Sequence, residues 1–426
     1  MRVRIHRGAR EVGGNCVELE SGGRRLLLDL GLPLGDAVDP AAAVPPVEGL
    51  TSAGDGSLLA VVISHPHLDH YGLLPFARPD LPVYIGKPAA DMIAAAAPFV
   101  RRPAAPFVGR PDARFARHPA APTPAGFLED GRSFALGPFR VTPFRADHSA
   151  FGGFSLVVEA NGRTLIYTGD VRAHGRTAAF RDFLARAPRR ADALIVEGTS
   201  LTPNAPLDGV PCGERALERR IGDAIRGGPG VALIAFSPQN VDRWVTAYRA
   251  ATIAARRVFV TDVYGEAIAR AVGRASVPHA GHSNYRVFVP DAQRRQAAAL
   301  GVDGAARVSA DEIAAAPRRF ALLFRPGVVA ALERRGLLRG ATLVWSQWRG
   351  YLEDGRGAAT LELIARRGMR REDLHTSGHA APRDLRRLAE TLMPKSLVPI
   401  HTAAPERFRE LYDAVDPRPD GEWWAA

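Results

Sequence analysis

The sequence predicts an α/β protein in which one domain is interrupted by a second. Short β-rich runs separated by Gly and Pro fill the chain up to about residue 200. From Gly213 longer amphipathic helices alternate with short apolar strands, and after Trp345 the sequence pattern of the first 200 residues returns. We therefore predict a split domain over residues 1–200 and 351–426, with an inserted α/β domain over residues 201–350.

The first part of the split domain contains short apolar runs bounded by Gly, Pro or charged residues, which is the pattern of strands. The predicted strands are Arg2–Arg7, Asn15–Glu20, Arg24–Asp29, Leu58–Ser64, Phe139–Arg145, Phe154–Glu159, Thr164–Thr168 and Ala193–Val196. Helical spacing is sparse here and predicts helices at Lys87–Val100 and Ala178–Ala187.

The inserted domain alternates the two patterns, which predicts a separate α/β unit. Its predicted elements are Glu214–Arg226, Val231–Ala235, Gln239–Ala255, Arg257–Thr261, Gly265–Gly273 and Gly327–Arg335. The return of the first domain predicts a helix at Pro382–Met393, a strand at Leu397–Ile400 and a helix at Pro405–Ala414.

The composition is that of a folded globular chain, with 46% apolar and 24% charged residues. The chain begins without an apolar signal-type run and contains no stretch near the ~18 apolar residues of a membrane span, so we expect a cytoplasmic protein with no membrane partner. Cys16 and Cys212 lie far apart, so any metal must rest on His and carboxylate. The net charge of +11 fits a nucleic-acid partner, although a GC-rich coding bias also produces abundant Arg.

The segment His65–His70 reads HPHLDH and directly follows an apolar strand. His65 and His67 are two positions apart and can point to the same side, and Asp69 and His70 fall at the next turn. Three imidazoles and a carboxylate this close together predict a site for two divalent metal ions about 3.5–4 Å apart.

Later strand ends offer further donors at His148, Asp170 and His401. Asp170 ends an apolar run and precedes a loop, so we predict that it bridges the two metals. Asp29 closes the run Arg25–Leu28 and is predicted to hold the His65–His70 loop by hydrogen bonds. A single Asp at a strand end most often forms a turn, so the roles assigned to Asp170 and Asp29 depend on the presence of the His65–His70 segment.

In order and approximate spacing, these predicted site residues resemble the motifs of the metallo-β-lactamase superfamily. The resemblance implies an αββα sandwich with both metals at one edge between two sheets. It further implies that one metal is held by His65, His67 and His148 and the other by Asp69, His70 and His401, with Asp170 bridging them.

The sequence from Asp170 to His401, which includes the inserted domain, resembles the β-CASP branch, whose nucleases include ribonuclease J. Glu197, His379 and His401 match the three diagnostic motifs of that branch, and the His at 401 is usual in members that act on RNA. The resemblance implies that His379 contacts a phosphate oxygen or protonates the leaving oxygen, with Glu197 fixing its tautomer. Ser237 and Ser377 are candidate phosphate contacts, with local turn hydrogen bonds as the alternative.

One segment departs from the ribonuclease J pattern. Where that family has a Gly-rich phosphate-binding segment, this chain has Val344–Tyr351, so recognition of a 5′-monophosphate is not implied. The spacing of Trp345, Trp348 and Tyr351 favours packing in the core, with stacking on unpaired bases as the alternative.

The leading hypothesis is hydrolysis of single-stranded RNA by a water activated between two metals, one of whose ligands, Asp69, is counted among the catalytic residues. Zinc is the expected metal and manganese the alternative. A DNA-processing nuclease, a non-catalytic nucleic-acid-binding subunit and a small-molecule hydrolase are competing interpretations. We expect the insert to cap the site, and the oligomeric state stays open, with a homodimer among the expectations.

Overall fold

The computed structural model describes residues 1–35, 38–99, 123–274, 276–302, 304–353 and 355–426. These residues form two compact units, one over Met1–Val210 and Gly378–Ala426 and the other over Pro211–Ser377. Both boundaries lie further along the chain than the 200 and 350 that the sequence predicts. Within the described ranges, no helix combines the length and apolar character needed to cross a bilayer.

The secondary structure is numbered in chain order. The strands are β1 (Arg2–Arg7), β2 (Cys16–Ser21), β3 (Arg24–Leu28), β4 (Leu58–Val62), β5 (Val83–Gly86), β6 (Gly126–Leu128), β7 (Phe134–Leu136), β8 (Phe139–Arg145), β9 (Phe154–Ala160), β10 (Arg163–Tyr167), β11 (Ala193–Glu197), β12 (Ala232–Ala235), β13 (Val258–Thr261), β14 (Tyr285–Val287), β15 (Phe320–Leu323), β16 (Thr342–Trp345), β17 (Arg370–Asp373), β18 (Leu397–Ile400) and β19 (Trp423–Ala425). The helices are α1 (Leu68–Tyr71), α2 (Lys87–Ala96), α3 (Ala179–Arg186), α4 (Glu214–Arg226), α5 (Val241–Arg249), α6 (Val263–Ala271), α7 (Arg294–Ala299), α8 (Ala310–Ala315), α9 (Pro326–Arg334), α10 (Gly355–Arg367) and α11 (Pro382–Leu392). Instead of the helix predicted over 405–414, a short 3-10 segment occupies Pro405–Glu410.

The first unit contains two sheets, with the strand orders β19-β1-β2-β3-β4-β5-β6 and β18-β11-β10-β9-β8-β7. Their inner faces share one core, to which Val17 and Leu26 contribute from the first sheet and Leu156 and Leu165 from the second. Successive strand residues point to opposite faces, so a strand such as β4 or β11 gives apolar side chains both to this core and to the outer face of its sheet.

Helices cover the outer face of each sheet. Ile93 of α2 packs in the same cluster as Val61 of β4. On the other side, Phe183 of α3 and Leu388 of α11 pack with Leu194 of β11. The four layers confirm the αββα sandwich that the sequence resemblance implies.

Several strands of the first unit deliver their following residues to one edge. β3 runs parallel to β4, and β11 runs parallel to both β10 and β18. Strands that run in the same direction present their carboxyl ends together. The segments after β3, β4, β8, β10 and β18 carry the predicted metal ligands and Asp29, and β11 ends in Glu197.

The second unit is built on one six-stranded sheet, in the order β14-β13-β15-β12-β16-β17. Every neighbouring pair in this sheet is parallel. Leu233, Leu322 and Leu343 belong to its core, together with Leu332 of α9. The edge strand β17 pairs with β16, which is why residues 351–377 belong to this unit and not to the first.

Candidate metal centre

The HPHLDH segment turns from strand into helix at the edge of the first sheet. His65 follows β4 closely, His67 is the residue before α1, and Asp69 and His70 lie in the single turn of that helix. His65 and His70 are buried. The short helix brings the later pair of side chains back toward the first, as the spacing predicts.

The predicted ligands fall into two groups whose donor atoms lie within 4.8 Å of one another in each group. The first group is His65, His67, His148 and Asp170, and the second is Asp69, His70 and His401. In the first, His148 Nε2 lies 3.1 Å from His67 Nδ1. In the second, His401 Nε2 lies 3.2 Å from Asp69 Oδ2.

Asp170, a member of the first group, also lies close to the second. Its Oδ2 is 3.5 Å from His65 Nε2 in the first group and 3.3 Å from His70 Nε2 in the second. Asp170 is therefore in position to touch ions held by either group, as a bridging carboxylate does.

The donor atoms fit divalent cations. Both carboxylate oxygens of Asp170, Nε2 of His65 and Nε2 of His70 are buried and form no hydrogen bond with any part of the chain that the structure describes. A buried carboxylate without hydrogen bonds costs several kcal/mol unless a cation compensates it. Imidazole nitrogens and carboxylate oxygens are also the ligands that zinc takes in proteins.

Burial and neighbouring charges together control the ionisation of these groups. Burial, with the neighbouring His70, holds the pKa of His65 well below its ordinary value, and burial lowers the pKa of His67 to about 4. Both rings are therefore neutral near pH 7, which is the form that binds metals. Burial acts to raise the pKa of Asp170, but His401 and His70 outweigh it and hold that pKa well below the ordinary value, so the carboxylate is ionised.

Asp29 accepts four hydrogen bonds, three of which come from Ser64 and His70 and hold the predicted metal-binding loop. It accepts from the backbone N of Ser64 at 2.6 Å and from Ser64 Oγ, His70 Nδ1 and Tyr167 Oη at 2.7 Å each. The bond from His70 Nδ1 leaves the Nε2 of that ring for a metal. Asp29 has a positive φ of 61°, a conformation that Asp tolerates better than most residues.

Two further contacts orient predicted His ligands, and neither was predicted from the sequence. His148 Nδ1 donates to the carbonyl oxygen of Gly378 over 2.5 Å, and Thr199 Oγ1 lies 2.7 Å from His401 Nδ1. Gly378 directly precedes His379 and Thr199 lies two residues after Glu197, and this proximity to motif residues is the one signal that pointed to them.

Glu197 and His379 lie beside the same cluster. His379 Nδ1 is 3.4 Å from Glu197 Oε1 and 3.8 Å from Asp170 Oδ2. Burial acts to lower the pKa of His379, but the charges of Glu197 and Asp170 outweigh it and raise the pKa to about 9. Backbone N–H groups of Thr199 and Ala380 donate to Glu197 and fix its carboxylate.

The two candidate phosphate-binding serines belong to the second unit. Ser237 follows β12 and is exposed, and Ser377 is the last residue of that unit and is half-buried. Their contact with phosphate stays a prediction.

Family comparisons agree with this geometry. Residues 24–258, more than half of the chain, match the family described as "Beta-lactamase superfamily domain". Residues 364–411 match the "Zn-dependent metallo-hydrolase RNA specificity domain".

Similar proteins come from bacteria and archaea. Ribonuclease J of Mycobacterium tuberculosis (strain ATCC 25618 / H37Rv) is 27% identical over 270 residues, 61% of this chain and 44% of that protein. The RNase J-like protein of Methanocaldococcus jannaschii is 27% identical over 241 residues, 55% of this chain and 51% of that protein. Ribonuclease J of Mycolicibacterium smegmatis is 24% identical over 430 residues, 94% of this chain and 68% of that protein. The chain spans about half the length of the first two relatives.

A solved structure shares the fold over nearly the whole chain. The crystal structure of a protein of unknown function from Enterococcus faecalis V583 matches with a TM-score of 0.79 at 21% identity and covers 99% of both chains. The second family match and the similar ribonuclease J proteins support assignment to the ribonuclease J-like β-CASP branch. Because the first family match covers more than half of the sequence, the chain belongs to the metallo-β-lactamase superfamily.

Proposed function

We propose that this protein is a metal-dependent nuclease that hydrolyses single-stranded RNA. The observation that carries the proposal is the convergence of seven His and Asp side chains, from segments as distant as His65 and His401, in two neighbouring groups that include the buried carboxylate of Asp170. The match to an RNA specificity domain and the names of the relatives support RNA as the substrate.

We infer that the site takes two ions, because two groups of ligands lie side by side and Asp170 Oδ2 is close to His65 Nε2 in one and to His70 Nε2 in the other. We further infer that zinc suits these ligands best. When bound, such ions activate water near neutral pH and offset the charge that develops on the phosphate. His65 and His67 contribute neutral imidazoles, and Asp170 keeps a negative charge between the two groups.

His379 supplies the acid–base chemistry in this proposal. Its Nδ1 lies 3.4 Å from Glu197 Oε1, and we infer that the ring acts on an oxygen of the scissile phosphate. Because Glu197 lies beside it, the ring can carry a proton, and in that form it would stabilise phosphate charge or protonate the leaving oxygen. Ser237 and Ser377 are the proposed phosphate contacts from the second unit.

The decisive experiment compares the wild-type protein with the Asp69→Ala/His70→Ala variant after metal analysis. Both are incubated with RNA and with single-stranded DNA labelled at either end, and product lengths are followed over time. We expect the variant to lose at least about 1,000-fold in RNA cleavage, as expected when metal-assisted catalysis is removed. Internal fragments would indicate endonuclease action, and mononucleotides would indicate exonuclease action.

Asp91→Ala is the matched control, because Asp91 lies on the surface of α2 and pairs only with Lys87 among the ion pairs described. It should cleave like the wild type. RNA cleavage that persists in the double variant would contradict the proposed mechanism, and cleavage of DNA alone would contradict the assignment of RNA.

A further inference from the structure

An exposed pair of aromatic side chains stands on the second unit just after β16. Trp348 is 64% exposed and Tyr351 is 54% exposed, whereas Trp345 is buried at 4%. The rings of Trp348 and Tyr351 meet edge to face, with centroids 5.5 Å apart and planes at 85°. The sequence-based preference for core packing is therefore right for Trp345 and wrong for the other two.

The pair is held in place by the local backbone. Trp345 Nε1 donates to the carbonyl of Trp348 at 3.4 Å, and the backbone N of Tyr351 donates to the same carbonyl at 3.3 Å. A Cβ at position 350 would overlap the indole of Trp348, so Gly350 lets that ring lie over the chain. Rings that are ordered before a ligand arrives lose less conformational entropy on binding.

The sheet topology places this pair where α/β sheets bind ligands. β16 is hydrogen-bonded to β12, and the pairing continues past the strand ends, where Ser346 N donates to the carbonyl of Ala235 at 2.9 Å. After β12 the chain adds β13, β14 and β15 in one lateral direction from β12, and it then adds β16 and β17 in the other direction. Ligands bind outside the carboxyl ends of strands at such a switch point.

The surroundings of the pair suit a nucleic acid. Arg349 is exposed between the two aromatic residues, and exposed Ser237 follows the neighbouring strand β12. The whole chain carries a net charge of +11, which favours a polyanionic partner. Aromatic faces next to cationic groups are how proteins stack on bases of single strands without reading their sequence.

We propose that Trp348 and Tyr351 form a base-stacking platform for single-stranded RNA. The proposal rests on the proposed function and adds a substrate-binding site within the second unit. Because stacking needs only the face of a base, the platform is tolerant of sequence. It also provides, where ribonuclease J has a Gly-rich phosphate-binding segment, a contact to bases in place of a contact to a terminal phosphate.

The test is equilibrium binding by the full-length, metal-loaded protein. The probes are a short fluorescein-labelled oligouridylate with phosphorothioate linkages, which slow cleavage, and its abasic counterpart, and fluorescence anisotropy reports the dissociation constants. Trp348→Ala should weaken binding of the base-containing probe about 10-fold, and Tyr351→Ala should weaken it less, as expected for the loss of one stacked base. Both variants should bind the abasic probe as the wild type does.

Two controls separate stacking from other effects. Trp348→Phe keeps an aromatic face and should retain most of the affinity. Phe127→Ala removes a comparably exposed aromatic side chain from β6 of the first unit and should change neither constant.

Equal loss on both probes, or no loss on either, would overturn the platform. RNA cleavage is assayed separately on the wild type. If the wild type cleaves RNA but its Trp348→Ala variant binds normally, the platform is wrong and the proposed function stands. If the wild type is inactive but still needs Trp348 for base-dependent binding, the proposed function is wrong and the platform stands.

Discussion

His148 donates a hydrogen bond from Nδ1 to the carbonyl oxygen of Gly378 over 2.5 Å. A carbonyl can only accept, so the proton on this ring sits on Nδ1 and the lone pair of Nε2 is directed to the metal site. The bond also ties a predicted metal ligand to the backbone directly before His379. The metal ligand and the predicted proton donor therefore depend on one another for their positions.

Gly378→Ala should disturb this arrangement without removing any metal-binding atom. A Cβ at 378 would lie 2.8 Å from the Cβ of Ser149 and closer still to its Oγ, so the loop must move away from His148. We expect metal affinity and RNA cleavage to fall about 10- to 100-fold, the usual effect of losing a partner that orients a metal ligand. Chelator competition and end-labelled cleavage assays measure the two effects.

Gly227→Ala provides the matched control. A Cβ there meets no atom within 4 Å, and the residue ends α4 with a φ of −86°, which alanine adopts readily. Metal affinity and activity of that variant should equal those of the wild type. A Gly378→Ala protein that keeps full metal affinity would contradict the proposed role of the carbonyl.

The convergence of the predicted ligands could be anticipated because each one is a side chain with its own chemistry at a strand end. His65, His67 and His70 lie within one short segment, and Asp170 and His401 each follow a buried strand. The fold followed from the same motifs through the family resemblance, and the structure confirms its four layers. Whether these side chains bind metal stays a prediction that the experiments above address.

Other features left little trace in the sequence. The carbonyl of Gly378 belongs to the backbone and has no side-chain signature. The strand β17 reads RRED and lies at the edge of its sheet, where charged side chains are common, so it lacks the apolar alternation that marks a strand and the second boundary was placed too early. The spacing of Trp345 and Trp348 fits both a buried helix face and an exposed turn.

His379→Ala should separate proton transfer from metal binding. We expect cleavage to fall about 100- to 10,000-fold, the range for loss of a general acid, while the ratio of metal to protein stays at the wild-type value. The cleavage rate of Glu197→Gln should lie between those of His379→Ala and the wild type, because the amide keeps the shape of the carboxylate but not its charge beside the ring. Metal analysis by mass spectrometry and initial cleavage rates provide the two readouts.

His379 is also placed to be a metal ligand, because its ring forms a third possible metal-binding group with Asp170 and His401. A His379→Ala protein that loses metal along with activity would identify the ring as a ligand. The proposed proton donor would then have to be abandoned.

Arg243 should contribute strongly to the folding stability of the second unit. Its guanidinium is fully buried and donates to both oxygens of Glu214, to Ser346 and to the carbonyl of Thr376. Arg243→Met removes the buried cation that pairs with the carboxylate of Glu214, which should cost about 3–5 kcal/mol of stability. Urea unfolding followed by tryptophan fluorescence measures the loss.

Arg249→Met on the same helix is the control. Arg249 is 46% exposed and pairs with Glu218 at the surface, so its loss should cost less than about 1 kcal/mol. Removing both buried charges in Arg243→Met/Glu214→Leu should recover most of the stability lost in the single variant. Equal losses at positions 243 and 249 would contradict the importance of burial.

Glu18 should make the first unit sensitive to acid. Its buried carboxylate accepts from His6 Nε2 and Arg25 Nη1 at 2.8 Å each. Burial acts to raise the pKa of Glu18, but these two hydrogen bonds and the adjacent charges outweigh it and lower the pKa below its usual 4.5. A carboxyl whose pKa is lower in the folded state stabilises the fold above the unfolded-state pKa, and this contribution is lost as the pH falls through the folded-state pKa.

Glu18→Gln should therefore destabilise the protein by roughly 3 kcal/mol near pH 7, as for a broken buried ion pair, and by progressively less below about pH 4.5. Urea unfolding of both proteins from pH 7 to pH 3, each at the same metal content, measures the difference. Glu159→Gln is the control, because Glu159 is exposed and its contact with Arg140 is 3.9 Å long. A difference between wild type and Glu18→Gln that stays constant over this range would mean that the charge of Glu18 does not stabilise the fold, since only an ionised carboxylate can lose its contribution on protonation.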